Sequence, residues 1–130
     1  MVNKRVLRPE RVRVVPSRFS WLDHRLVRER HVDRCSTEAL ALYLFLVTVA
    51  DAKGLSYYGD ASVCARLGLQ PAQLDAARQT LIDTELIAYE APLYQVLSLD
   101  RPGPVEPAAR RRDRGPRSLG DVLRNPGAQR

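Results

Sequence analysis

Four neighbourhoods of this 130-residue chain hold side chains capable of chemistry. Asp23 and His24 stand together, as a general acid and base would. His31 and Cys35 lie four apart, a spacing that puts two metal ligands on one helical face. Cys35 and Cys64 are the two thiols, and arginines gather at both ends. The first three carry little. Neighbours on a helix point in different directions, and no nucleophile stands near Asp23 in sequence. Two ligands do not make a metal site, and the cysteines match no metal or redox spacing. No catalytic residue, metal or cofactor is expected. Cys64 reads instead as the small residue at a helix crossing.

The arginines say more. Residues 1–35 carry ten Lys/Arg against four Asp/Glu, residues 36–100 carry three against eight, and residues 101–130 carry eight against three. An acidic centre is therefore flanked by two basic arms, a distribution suited to a polyanion, nucleic acid first. The apolar run ALALYLFLVTVA is shorter than the roughly 20 residues a membrane span needs, and the basic N-terminus has no apolar signal segment. A cytoplasmic protein with reduced thiols and no membrane contact follows.

Positioning elements can be read along the chain. RVRVV alternates Arg11 and Arg13 with Val12 and Val14, as a short edge strand or extended arm would, up to Pro16. SWLDHRLVRER predicts a short helix with Ser20 as N-cap and Leu22 and Leu26 on one face, with Phe19 and Trp21 packed on the helix that follows or serving as a partner anchor. Ser36 caps that following helix, which is apolar nearly all round, runs to about Ala50 and is stopped by DAKG, with Gly54 left-handed. LSYY is a short strand with one tyrosine buried and one exposed. Asp60 caps a third helix, and Pro71 opens a fourth, running to about Thr84. LIAYE and LYQVLSL, joined at Ala91 and Pro92, read as a hairpin with Tyr94 toward the core. From Arg101 the Pro/Arg-rich texture cannot bury enough surface to order itself. SLGDVLR, residues 118–124, offers a short apolar face (Leu119, Val122, Leu123) for a partner. The expected organisation is a basic arm (1–18), a folded domain (19–100) and a flexible tail (101–130).

The third and fourth helices form a constellation. Cys64 and Gly68 have the spacing at which a small residue and a turn glycine let two helices approach closely. Val63, Leu67, Leu69, Leu74, Ala77 and Leu81 supply the apolar lock between them. With the hairpin after it, the fold class is mainly α with a small β-hairpin (α+β), a winged helix-turn-helix with flexible basic N- and C-terminal arms. Residues 36–90, through TVADAKG, the short strand, the helix pair and the closing Leu81, Leu86 and Ile87, resemble the winged-helix domains of bacterial and plasmid replication initiators and mobile-element regulators. That resemblance implies binding to double-stranded DNA at an origin, operator or element end.

In this register the groove-facing residues would be Gln70, Ala72, Gln73, Asp75, Ala76 and Gln79, with Arg78 and Thr80 at the margin. Gln suits adenine and Ala a thymine methyl. Such domains usually open this helix with Ser/Thr and basic residues, where this chain has Gln70 to Gln73. Asp75 would repel phosphate, and the hairpin from Leu86 to Leu99 contains no Lys or Arg. Phosphate contact therefore falls to Arg78 and to the arms, through Arg5, Arg8, Arg11 and Arg13 before the fold and Arg110, Arg111, Arg112, Arg114 and Arg117 after it. A homodimer is expected because one such module reads a half-site; either the core helix (Tyr43, Phe45) or SLGDVLR would supply its interface. Two alternatives stand beside this: a winged-helix adaptor that binds protein through its acidic centre, its arms or tail meeting an acidic partner or RNA, and non-specific nucleic-acid binding by the arms alone.

Overall fold

The structure, a computed structural model, describes residues 4–100. The tail arginines from Arg110 to Arg117 and the 118–124 segment lie outside the described residues.

Helices and strands follow the predicted order: α1 (Arg25–Arg28), α2 (Thr37–Val49), β1 (Leu55–Tyr57), α3 (Asp60–Leu67), α4 (Pro71–Asp83), β2 (Ile87–Glu90) and β3 (Leu93–Val96). The fold is mainly helical with a small antiparallel sheet. That sheet has three strands in the order β1-β3-β2, with Ser56 opposite Tyr94 and Tyr89 opposite Tyr94. The short strand thus joins the hairpin through β3, which lies central.

Two helical stripes make the core. Ala39, Leu42, Tyr43 and Leu46 of α2 are buried at i, i+3, i+4 and i+7, although α2 is apolar nearly all round. On α4 the same spacing buries Leu74, Ala77, Arg78 and Leu81. The helices pack on each other, and Val63, Leu86, Ile87 and Tyr94 close the core around them. Phe45 meets Tyr58 edge-to-face at 5.0 Å, and Tyr57, its neighbour on β1, is exposed. Tyr43 is thus buried, and Phe45 is half-buried against Tyr58.

Helix ends follow the sequence in part. Ser36 Oγ accepts the Ala39 N–H at 3.1 Å and starts α2. After α2, Asp51 accepts the Lys53 and Leu55 amides at 2.8 and 2.9 Å, and these bonds hold its carboxyl below the ordinary carboxylate range. Gly54, at φ +85°, belongs to the turn into β1 rather than to the end of α2; a Cβ there would lie 2.6 Å from the Val96 carbonyl oxygen. Gly68, at φ +68°, ends α3, its N–H donating to the Cys64 carbonyl at 2.8 Å.

Four expectations are corrected. Gly59, not Asp60, is the N-cap of α3, which frees the Asp60 carboxylate for a partner elsewhere. Residues 20–30 form only the single turn α1, started by Asp23, whose carboxylate accepts the Arg25 N–H at 2.8 Å and Arg25 Nη2 at 2.7 Å. Those hydrogen bonds hold the Asp23 carboxyl below its usual range. Ser20 does not cap; its Oγ reaches the Thr48 carbonyl at 3.4 Å. Phe19 and Trp21 do not pack on α2. With Ser20 turned to the end of α2 and Leu22 lining its face, the alternation of a non-helical segment turns Phe19 and Trp21 outward, and both are exposed.

Candidate nucleic-acid interface

The α3–α4 pair is joined by Gly68 and Leu69, and the left-handed glycine supplies the turn that a side chain would strain. Gln70 starts α4 in extended backbone. Its N–H donates to Gln73 Oε1 at 2.8 Å, and Pro71 occupies the first helical position, where no N–H is needed. Gln70 and Gln73, expected to read bases, thus stand together at the start of α4, with the Gln73 carbonyl oxygen engaged in capping.

Ala72, Gln73, Asp75, Ala76 and Gln79 all lie on the exposed side of α4. Gln79 Nε2 donates to Asp83 Oδ1 at 2.8 Å, and Thr80 Oγ1 donates back to the Ala76 carbonyl at 3.0 Å. Five of the sequence-predicted residues are therefore exposed along α4, and the sixth, Gln70, is exposed at its N-cap.

Arg78 is elsewhere. It is 9% exposed and fills the i+4 position of the stripe begun by Leu74. Its Nη1 donates to Asp60 Oδ1 at 2.9 Å and to the Tyr94 hydroxyl at 2.8 Å, and Nη2 donates to Asp75 Oδ1 at 2.8 Å. Its Cζ stands 4.3 Å from the centroid of the Tyr89 ring, which lies 4.5 Å from that of Tyr94. Burial opposes the charge, but the hydrogen bonds to Asp60 and Tyr94 outweigh it and hold the guanidinium above its ordinary pKa. The expected phosphate contact is thus an internal cation, and the reason is positional: the residue four after Leu74 faces the core. Buried guanidinium groups persist where their donors are satisfied, as here by two carboxylates and a phenol.

Asp75 changes role with it. Expected to meet a base, it is an i,i+3 partner of Arg78 with most of its side chain in water. The α4 face then presents Asp75 and Asp83, with no cation of its own helix turned outward. The hairpin adds the exposed Glu90, and Tyr94, buried as expected, has its phenol pKa raised by burial against the lowering effect of Arg78.

Among the described residues, positive charge is concentrated before α1. Every described residue from Lys4 to Ser20 is exposed, Arg5, Arg8, Arg11 and Arg13 among them. Pro9–Arg11 form a 3-10 turn, Arg8 pairs with Glu10 at 3.0 Å, and the rest runs without strand pairing. RVRVV is thus an extended arm and not an edge strand. Farther along, Arg30 pairs with Asp33 at 3.2 Å, and Arg34 Nη2 donates to His31 Nδ1 at 2.8 Å. Because arginine only donates, that bond puts the neutral imidazole proton on Nε2, which faces Glu29 at 3.6 Å. Cys35 Sγ donates to the His31 carbonyl at 3.6 Å. Among the described residues no three His, Cys, Asp or Glu side chains converge as a metal site, and no helix is long and apolar enough to cross a membrane.

No protein-family model, curated protein or solved structure matches this chain.

Proposed function

We propose that this chain is a small DNA-binding winged-helix protein, a regulator or an accessory replication or transposition factor of a mobile element, without enzymatic activity. α3 and α4 act as the helix-turn-helix and β2–β3 as the wing. The observation that carries the reading is the fully exposed basic arm running into the same folded unit as a helix pair turned at a left-handed Gly68. With Arg78 withdrawn into the core, affinity rests on Arg5, Arg8, Arg11 and Arg13 against phosphates. Selectivity rests on the neutral Ala72, Ala76 and Gln79 of α4. Phosphate contacts supply affinity without sequence information, and base-edge contacts supply the information.

A second reading is favoured by one specific observation. The outward face of α4 carries two carboxylates and no cation, which suits a protein partner better than a phosphate backbone. The test is selection from a random duplex DNA pool by the full chain near physiological salt. Enrichment of a discrete motif that Gln79→Ala alters supports the DNA reading. Capture without a motif leaves the arm alone at work, and no capture leaves the protein adaptor.

A further inference from the structure

One apolar surface takes no part in the proposed DNA contact. Leu22, Val27 and Leu44, each at least half exposed, line a cleft of about 300 Å³ between the α1 segment and the face of α2, with the buried Tyr43 and Leu86 behind them. Phe19 (64% exposed) and Trp21 (73% exposed) stand on the segment that enters this cleft. That segment is fixed beside it by the hydrogen bond from Ser20 to Thr48, one turn beyond Leu44.

We propose that a second copy of this chain covers this face, in a two-fold dimer in which Trp21 of each copy enters the cleft of the other. A two-fold contact joins one patch to itself, so it must carry both a projection and a recess that fits it. Here an outward indole and an apolar cleft large enough for an aromatic side chain lie within one surface.

The area agrees. A fully exposed aromatic side chain offers about 150–250 Å², so Phe19 and Trp21 leave roughly 250 Å² of apolar surface, and the three aliphatic residues bring the patch to about 500 Å². Doubled across a two-fold axis, that is about 1,000 Å², the lower bound of a specific interface, before any polar rim is counted. Two nearby charge pairs are internal to the chain, Asp23 with Arg25 at 2.7 Å and Arg30 with Asp33 at 3.2 Å, and the exposed Arg18 and Arg28 add positive charge at the rim. Dimerisation here also sets two basic arms side by side, because the arm ends at Phe19. The inference stands whether or not the chain binds DNA.

Trp21 is the single tryptophan, so it reports on its own burial. The experiment is sedimentation equilibrium of the full chain over a wide concentration range, with tryptophan emission and acrylamide quenching at each concentration. The expected result is a dimer mass, with Trp21 blue-shifted and protected as the mass rises. Trp21→Ala and Leu44→Glu should each weaken association at least tenfold, while Tyr57→Ala, at an exposed aromatic on β1, should leave it unchanged. A monomer with a solvent-exposed tryptophan at every concentration overturns the proposal. So does a monomer whose tryptophan is protected at every dilution, which would place another part of the same chain over the cleft. A dimer indifferent to Leu44→Glu overturns it as well. If the variants do not fold, the concentration dependence of wild-type Trp21 emission decides.

Discussion

Arg78 Nη1 donates to Asp60 Oδ1 across 2.9 Å, so the first residue of α3 is tied to the middle of α4 by a side chain lying in the buried stripe of α4. The same nitrogen reaches the Tyr94 hydroxyl on β3. One guanidinium thus joins both helices of the pair to the central strand of the sheet. It sets their mutual placement and also removes the one cation of α4 from any outside ligand. Structure and ligand chemistry compete for Arg78 here, and structure takes it.

Removing that cation should cost stability. Arg78→Ala strips the donors from two carboxylates and a buried phenol and loses the guanidinium stacked on the Tyr89 ring, and should destabilise by about 2–4 kcal/mol. Asp60→Ala, whose carboxylate is half in water, should cost only about 1 kcal/mol. Urea unfolding of both single variants and the double variant should show less than the sum, because the two residues share one interaction. Strict additivity would mean that the bond holds nothing.

Three glycines should respond in three ways. Gly54→Ala combines a positive φ with a Cβ driven to 2.6 Å from a backbone oxygen, and is expected to cost more than about 2 kcal/mol. Gly68→Ala keeps the positive φ but meets open space, and should cost about 1–2 kcal/mol. Gly59→Ser has ordinary backbone, no clash and an uncapped helix start at α3, and should stabilise by about 0.5–1 kcal/mol. Thermal melts of the three variants rank them directly.

What the sequence can and cannot convey divides along physical lines. Element order, the Ser36 cap, the Gly68 turn and the hairpin at Ala91 and Pro92 are local matters of hydrogen bonding and backbone, and they are legible. The buried stripe Leu74, Ala77 and Leu81 is legible too. Its i+4 position is the signal for Arg78, and residue type, which reads arginine as surface, conceals what spacing declares. Asp60 misleads for a related reason: an acid at a helix start resembles a cap, and its tie to a residue 18 positions away has no local trace. Phe19 and Trp21 mislead because aromatic character argues for burial, whereas the non-helical segment that holds them turns them outward.

The buried phenols make stability fall in alkali. Burial raises the pKa of Tyr43 and, against the opposing effect of Arg78, that of Tyr94. Unfolded tyrosine ionises near about 10. Above that pH the unfolded chain releases protons that the folded chain retains, so unfolding becomes easier as pH rises; below it the contribution is constant. Denaturant midpoints should be level up to about pH 9 and decline above about pH 10. Tyr94→Phe should shallow the decline, and an unchanged decline would assign it to other groups.

Salt dependence separates the arm from the helix. On duplex DNA, each phosphate that a protein neutralises adds about 0.9 to the steepness with which log affinity falls against log salt. Replacing Arg5, Arg8, Arg11 and Arg13 by Ser should therefore flatten the slope by about 3, a little under the full effect of four free arginines because Arg8 is already paired with Glu10. Arg78→Met, at a buried cation, should leave the slope of the folded protein unchanged, as should Gln79→Ala, which is expected to alter sequence preference alone. The measurement is fluorescence anisotropy of a labelled duplex across a salt series, with circular dichroism to verify that Arg78→Met remains folded. A slope that flattens in Arg78→Met but persists in the arm variant would reverse the assignment, because the buried residue would then have to turn outward to meet phosphate.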